Sequence, residues 1–243
     1  MEYKLRYSQY SERSILIEWP AIIDDFMLKD ILNFKNKIQL NYSKLIVEII
    51  TGYNSLLVIY DFTIDNVNDR FIDLKQLYLG LLETNYLESL TFKIPVCYDA
   101  EFGVDLEKYS REKKLSKLEI IKRHTAPIYT VFFIGFLPGF LYLGGLDSSL
   151  HLNRKETPNL NVKKGSVAIG GEQTGIYPQD SPGGWHIIGN SPIELFNPKQ
   201  NPPCYIKAGD KVKFHAISKS KYLEIQNEIA HSRFDAKTLL IND

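Results

Sequence analysis

Two histidines and one arginine are the side chains best suited to chemistry near neutral pH: His124, His186 and Arg154. Imidazole titrates close to neutrality, so either histidine could shuttle a proton, or could be a hydrogen-bonded structural residue. The planar guanidinium of Arg154 fits a carboxylate with two prongs, and fits a surface ion pair equally well. Glu172 and Asp180 are acid–base candidates of a weaker kind, because loop carboxylates are usually just solvated. Arg154 and His186 stand among three dense turn segments. These are Gly135-Phe136-Leu137-Pro138-Gly139-Phe140-Leu141-Tyr142-Leu143, Gly170-Gly171-Glu172-Gln173-Thr174-Gly175-Ile176-Tyr177-Pro178 and Ser181-Pro182-Gly183-Gly184-Trp185-His186. Glycine lets backbone approach a ligand closely, aromatic rings give an apolar wall, and Gln173, Thr174 and Ser181 offer oriented hydrogen bonds. That mixture suits a small-molecule pocket. It also suits the turns of a β-barrel whose aromatics fill its core, and Trp185 is buried under either reading.

The elements that would position these residues can be read from periodicity. Residues 3–7 and 14–19 alternate as strands. Asp24 and Asp25 occupy an N-cap position before Met27, Leu28, Ile31, Leu32, Lys35 and Ile38, which follow at helical spacing. Leu45 to Ile50 and Leu56 to Tyr60 are β-rich runs around a Thr51-Gly52-Tyr53-Asn54 turn. Val67, Phe71, Leu74, Leu77 and Leu81 suggest a second helix, and Phe92 to Val96 a further strand. This order predicts a ferredoxin-like α+β domain over residues 1–90. Residues 97–124 read as a helical connector, with Asp105 as a cap and Ser116 and Glu119 at capping-box spacing. Beyond Pro127 the chain alternates Gly/Pro turns with short apolar runs at Tyr129–Ile134, Ser166–Ile169, Trp185–Ile188, Ile193–Phe196 and Val212–Ile217. These predict a mainly-β barrel or sandwich, and Tyr222, Ile225 and Ile229 predict a terminal helix.

Composition narrows the functions. The 243 residues are 44% apolar and 24% charged, and 29 basic side chains balance 29 acidic ones. A neutral chain with no basic block gives no electrostatic reason for nucleic acid or an anionic membrane as partner. Two distant cysteines, Cys97 and Cys204, suggest neither a disulfide framework nor a metal site. With no secretory signal and no apolar run of the roughly 18 residues that a membrane span needs, a soluble, cytoplasmic protein is expected. A phosphate-cradling Gly-x-x-x-x-Gly-Lys loop, a strand-linked Gly-x-Gly-x-x-Gly, a His-Glu-x-x-His and a Gly-x-Ser-x-Gly are all missing.

The motifs nevertheless form a recognisable series. Ile94-Pro95-Val96-Cys97-Tyr98, Phe102-Gly103-Val104-Asp105-Leu106 and Arg123-His124-Thr125-Ala126-Pro127 come first. Gly135 to Phe140, Gly165 to Ile169, Gly175 to Pro178, Ser181 to Trp185 and Ala208-Gly209-Asp210-Lys211-Val212 follow in order. Over residues 94–217 the chain resembles the family called PxpB, KipI or allophanate hydrolase subunit 1. The resemblance implies a small N-terminal α/β domain and a cyclophilin-like β-barrel over residues 91–243. It implies a subunit of an ATP-dependent 5-oxoprolinase that converts 5-oxo-L-proline to L-glutamate with PxpC/KipA-type and PxpA/LamB-type partners. Which subunit of the complex holds ATP is left open. The alternative that it implies is a KipI-like inhibitor of a sensor histidine kinase.

Carried over by position, Phe136, Pro138, Gly139, Arg154, Gln173, Thr174, Gly175, Tyr177, Pro178, Gly183, Gly184 and Trp185 fall on the family's motifs. They are expected to line a substrate pocket or subunit seam, with His124, His186 and Arg154 as catalytic candidates and no metal ligands. Two departures stand out: Pro158-Asn159 and Ile188-Gly189-Asn190-Ser191-Pro192 carry asparagine where the family usually has arginine. Lys155 or Lys163 could compensate.

Overall fold

The computed structural model describes residues 3–22, 24–80 and 89–241. The chain divides into two compact units, residues 1–88 and 89–243. In the first, β1 (Arg6–Ser11) and β2 (Ser14–Glu18) are followed by α1 (Asp25–Tyr42), β3 (Ile46–Thr51), β4 (Ser55–Tyr60) and α2 (Val67–Leu79). Asp24 caps α1 by accepting from the amides of Phe26 and Met27, which gives two of the helix's open donors a partner. Its apolar stripe, Met27, Ile31, Phe34 and Ile38, packs on Ile15, Ile17 and Val58 of the sheet. Leu81, expected within the second helix, lies outside the described residues.

The sheet runs β1-β2-β4-β3, antiparallel throughout. Thus β4 lies between β2 and β3, the two strands that α1 connects. The expected ferredoxin-like order fails at its last strand. The place beside β2 is taken by β1, while β5 (Thr91–Val96) leaves for the second unit and pairs in parallel with a strand more than 100 residues away. Local periodicity identifies a strand correctly, but partner choice is decided by burial against residues distant in sequence.

The second unit holds β5, α3 (Leu106–Lys113), α4 (Lys117–Thr125), β6 (Tyr129–Ile134), β7 (Leu141–Gly144), β8 (Asn159–Val162), β9 (Ser166–Gly170), β10 (Gln173–Ile176), β11 (Ser181–Gly183), β12 (His186–Asn190), β13 (Lys211–Ala216) and α5 (Lys219–Ala230). Seven strands form a mixed sheet in the order β12-β9-β10-β7-β6-β13-β5, and β8 with β11 forms a separate ribbon. Cys97, just past β5, exchanges both backbone hydrogen bonds with Asn190 at the end of β12, each 2.9 Å. The two edge strands meet there, so the sheet is a nearly closed barrel. Closure removes unpaired edges that would otherwise invite aggregation.

Alternation along the strands builds two cores on opposite faces of this sheet. Val167 and Ile169 of β9, Leu141 and Leu143 of β7 and Ile188 of β12 face inward with Ile94, Val131 and Phe214. Their neighbours Ala168, Tyr142 and Ile187 face outward and join Phe140, Val162, Tyr177 and Trp185. Residues 193–196, expected as a strand, carry no ladder: Ile193 and Leu195 are buried in the inner core from an unpaired extended segment. No helix among the described residues is long and apolar enough to cross a membrane.

Candidate functional site

The outward aromatic cluster borders a cavity that is open to solvent. This cavity, of about 240 Å³, is lined by Phe136, Phe140, Tyr142, Arg154, Pro158, Tyr177, Pro182, Gly183, Gly184 and Trp185. Its walls are rings set edge to face: Phe140 meets Tyr177 at 5.1 Å and Trp185 at 5.5 Å, and Phe136 meets Phe140 at 5.6 Å. Such T-shaped contacts favour a rigid box, because each ring edge points at a neighbour's π face. At its rim the Arg154 guanidinium carbon lies 5.6 Å from the centre of the Trp185 ring, within cation–π range. Among the described residues no carboxylate pairs with Arg154. The box therefore offers apolar faces and one cation with spare donors.

Two glycines shape the box by what they leave out. A Cβ on Gly170 would sit 2.5 Å from the Trp185 indole, and one on Gly175 would sit 2.7 Å from the Leu141 carbonyl and 3.0 Å from the Phe140 ring. Both lie in extended strands, so their role is close approach rather than an unusual backbone angle. This is why, of segment 170–178, expected as turn, Gly170 ends β9 and Gln173–Ile176 form β10, leaving Gly171 and Glu172 as the turn between them. Packing against the aromatics outweighs the low strand propensity of glycine.

Arg154 also borders a second, more polar cavity of about 420 Å³ lined by Lys108, Glu112, Leu152, Asn153, Lys155, Glu156, Thr157 and His186. His186 is buried here, and its Nε2–H donates to the Asn153 carbonyl at 2.8 Å. Lys155, offered by the sequence as a spare cation, is instead ion-paired to Asp105, and Lys163 is paired to Asp180 at 3.0 Å. Asp105 stands at the N-cap position of α3 without a capping bond, because its carboxylate serves Lys155 and the Ile187 amide. Asp180 also accepts from the Lys164 amide at 2.7 Å, which with Lys163 holds its carboxyl below the usual range.

Thus the structure gathers Phe136, Arg154, Tyr177, Gly183, Gly184 and Trp185 at one cavity, and His186 at the adjoining one. Pro138, Gly139, Gln173, Thr174, Gly175 and Pro178 line neither, though Gly175 backs the Phe140 ring. Phe140, Tyr142, Pro158 and Pro182 were missed as site residues, although three of the four stand in the turn segments that flagged the region. Asn190 is not at either cavity. It joins the Lys164 carbonyl to the Tyr222 hydroxyl at the barrel seam, so arginine there is not missing from this box. Asn159 accepts from the Asn161 amide at 2.9 Å within β8, and likewise lines neither.

His124 is placed elsewhere. It is fully buried in α4, stacked on Phe214 at 4.7 Å and bonded on both nitrogens. Thr174 Oγ1 donates to the Ala168 carbonyl at 3.0 Å, so it accepts from His124 Nε2–H at 2.9 Å. Nδ1 must then accept from the Tyr98 hydroxyl at 2.8 Å. Burial lowers the imidazole to a pKa of about 3, so it is neutral throughout the physiological range. A sealed, neutral, doubly bonded imidazole has no route for proton exchange with a ligand. Among the described residues no cluster of three or more His, Cys, Asp or Glu could hold a metal.

Comparison with known proteins fits this architecture. The family profile described as "Carboxyltransferase domain, subdomain C and D" matches residues 5–206. The B subunit of the Haemophilus influenzae 5-oxoprolinase is 44% identical over 176 residues, covering 72% of this chain and 82% of that protein. The B subunit of the Bacillus subtilis 5-oxoprolinase is 38% identical over 192 residues, 75% of this chain and 80% of that protein. The solved Kluyveromyces lactis urea carboxylase shares the fold, with a TM-score of 0.80 at 19% identity over 96% of this chain; this chain spans 23% of it. A profile match over most of the sequence and relatives near 40% identity place this chain in the carboxyltransferase subdomain C and D family and, within it, among the PxpB/KipI proteins, the B subunits of 5-oxoprolinase.

Proposed function

We propose that this chain is a working subunit of an ATP-dependent 5-oxoprolinase and that the aromatic box receives 5-oxo-L-proline. The observation that carries this reading is the pairing of a small apolar box with an arginine at its rim that meets no carboxylate among the described residues. Pockets for drug-sized ligands run from about 300 to 1,000 Å³, so a box of about 240 Å³ suits something smaller. A five-membered lactam carrying a carboxylate meets both demands: its ring lies against Trp185 and Phe140, and its carboxylate meets Arg154. The substrate amide is a poor electrophile. Phosphorylation of its carbonyl oxygen by ATP, with release of ADP, activates the ring carbon. A first water adds there and the ring C–N bond breaks to leave an acyl phosphate, from which a second water displaces phosphate to give glutamate.

No residue of this chain is assigned to ATP, which is taken to act at the level of the complex with PxpC/KipA-type and PxpA/LamB-type subunits in the cytoplasm. We also read the two units as the small α/β domain of residues 1–90 and the cyclophilin-like barrel of residues 91–243. The kinase-inhibitor alternative is not carried forward, because the curated relatives named above bear the enzyme-subunit name.

The test is reconstitution from purified subunits, with 5-oxoproline and ATP supplied and glutamate measured. Leaving this chain out should abolish turnover, and full turnover without it would end the proposal. Arg154→Ala should raise KM by roughly tenfold to a hundredfold, the worth of a charge-assisted hydrogen bond, with a smaller change in kcat.

A further inference from the structure

Arg154 stands in a segment outside the named strands and helices, where a long side chain would ordinarily sample many rotamers. Its neighbours are tied down on both sides. Before it, the Asn153 carbonyl accepts from His186 Nε2–H at 2.8 Å. After it, the Lys155 amide donates to the Gly184 carbonyl at 2.7 Å. The Lys155 ammonium then reaches Asp105, and the same carboxylate oxygen accepts from the Ile187 amide at 2.8 Å. Both ends of the clamp thus close on residues 184–187, the segment that carries Trp185. The Lys155 and Asp105 side chains are only 16% and 17% exposed, so water screens this pair far less than a surface pair.

We infer that Asp105, Lys155 and His186 are positioning residues that hold Arg154 over Trp185, at the wall shared by the two cavities. The inference rests on reading Arg154 as the carboxylate grip. None of the three need touch the ligand in the box. They fix the register between residues 153–155 and 184–187, so the guanidinium is already in place when a small anion arrives. Pre-organisation of this kind lowers the ordering cost of binding.

The clamp can be tested without substrate, because the indole reports on the cation above it. In the full chain with Trp19→Phe, Trp185 is the sole tryptophan, and Arg154→Ala defines the emission shift for loss of the cation. Lys155→Met keeps the backbone bond to Gly184 and the alkyl stem but removes the ammonium. It should give at least half of that shift. His186→Leu should do the same, while His186→Gln, which keeps a donor near the Nε2 position, should restore most of the parent emission. If Trp19→Phe unfolds the chain, the Trp185 signal is taken as the difference between each variant and its Trp185→Phe partner. Parent-like emission in both Lys155→Met and His186→Leu would overturn the clamp, as would an Arg154→Ala spectrum that does not move. In the reconstituted complex Lys155→Met should raise KM several-fold with kcat within twofold. A KM indifferent to Arg154→Ala would overturn the carboxylate grip alone, and the emission series would still decide the clamp.

Discussion

His124 and Arg154 share one property in the sequence and differ in nearly everything else. Both are ionisable residues on or beside family motifs, and both invite a chemical reading. His124 lies on the inner face of the barrel wall, desolvated, neutral and bonded at both nitrogens. Arg154 lies on the outer face, charged, exposed and left without a carboxylate among the described residues. The wall between them is shared: in β10, Thr174 faces His124 while the adjacent Gly175 backs Phe140 of the aromatic box. A polar group whose bonds are all satisfied internally contributes to uniqueness of the fold, whereas one with spare donors at a cavity is available to a ligand. Side-chain type cannot separate these cases. The face of the strand can.

The sharpest way to break the comparison is to remove His124. His124→Ala should cost about 3–5 kcal/mol of stability, from the cavity beside Phe214 and the orphaned Tyr98 hydroxyl together. Denaturant unfolding measures it, and a loss below about 1 kcal/mol would contradict a structural role for this imidazole. The pH dependence adds a second signature. The folded imidazole titrates at about 3, against the ordinary 6.5, because burial disfavours its charged form. Between those values the unfolded chain binds a proton that the folded chain refuses. Stability therefore falls as pH is lowered through that window, by about 1.4 kcal/mol per pH unit, and this group adds no dependence above it. The slope difference between wild type and His124→Ala over pH 4–6 should have that sign.

What the sequence made legible follows the same division. Asp24 before the Met27, Ile31 and Ile38 stripe locates α1, and Tyr129 to Ile134 locates β6, because capping and periodicity are local. The Phe136, Arg154 and Trp185 group was legible as well, since an aromatic and glycine-rich texture is itself unusual. The pairing of β5 with β13 was not, because it depends on residues 91–96 finding 211–216 in three dimensions. Gly175 hid a strand for a related reason: its neighbours, not its propensity, keep it extended. Residues 193–196 misled in the opposite sense, since alternation there reports burial of Ile193 and Leu195 without a hydrogen-bonded partner. Asp105 and Lys155, 50 residues apart, carried no signal that they would meet.

A gentler perturbation addresses the outer face. Gly170→Ala places a methyl group 2.5 Å from the Trp185 indole, so the ring must shift into the box. Overpacking of this kind costs about 1–3 kcal/mol, a smaller loss than at His124. Its effect on ligand affinity should be the larger relative change, because the ring that moves is both wall and seat for the Arg154 cation. Titration of the lactam acid against the variant measures this. Unchanged affinity together with lowered stability would show that the outer cluster is core and nothing more.

The smallest effect is expected at Phe136, and it separates strain from contact. This residue has φ +66°, in the left-handed region that side chains with a Cβ occupy at a cost, and it is 61% exposed. A bulky residue held there persists only if something else selects for its ring. Phe136→Ala removes the ring and keeps the strain, whereas Phe136→Gly removes both. The glycine variant should be the more stable of the two by about 1 kcal/mol, since the left-handed penalty of roughly 1–2 kcal/mol exceeds glycine's added entropy cost. Both variants should weaken ligand binding alike, because each opens the same side of the box beside Phe140 and Tyr177. A glycine variant that equals wild type in affinity would mean that the ring at position 136 takes no part in the site. The backbone angle would then be a property of the turn, and the outer face would lose one of its walls.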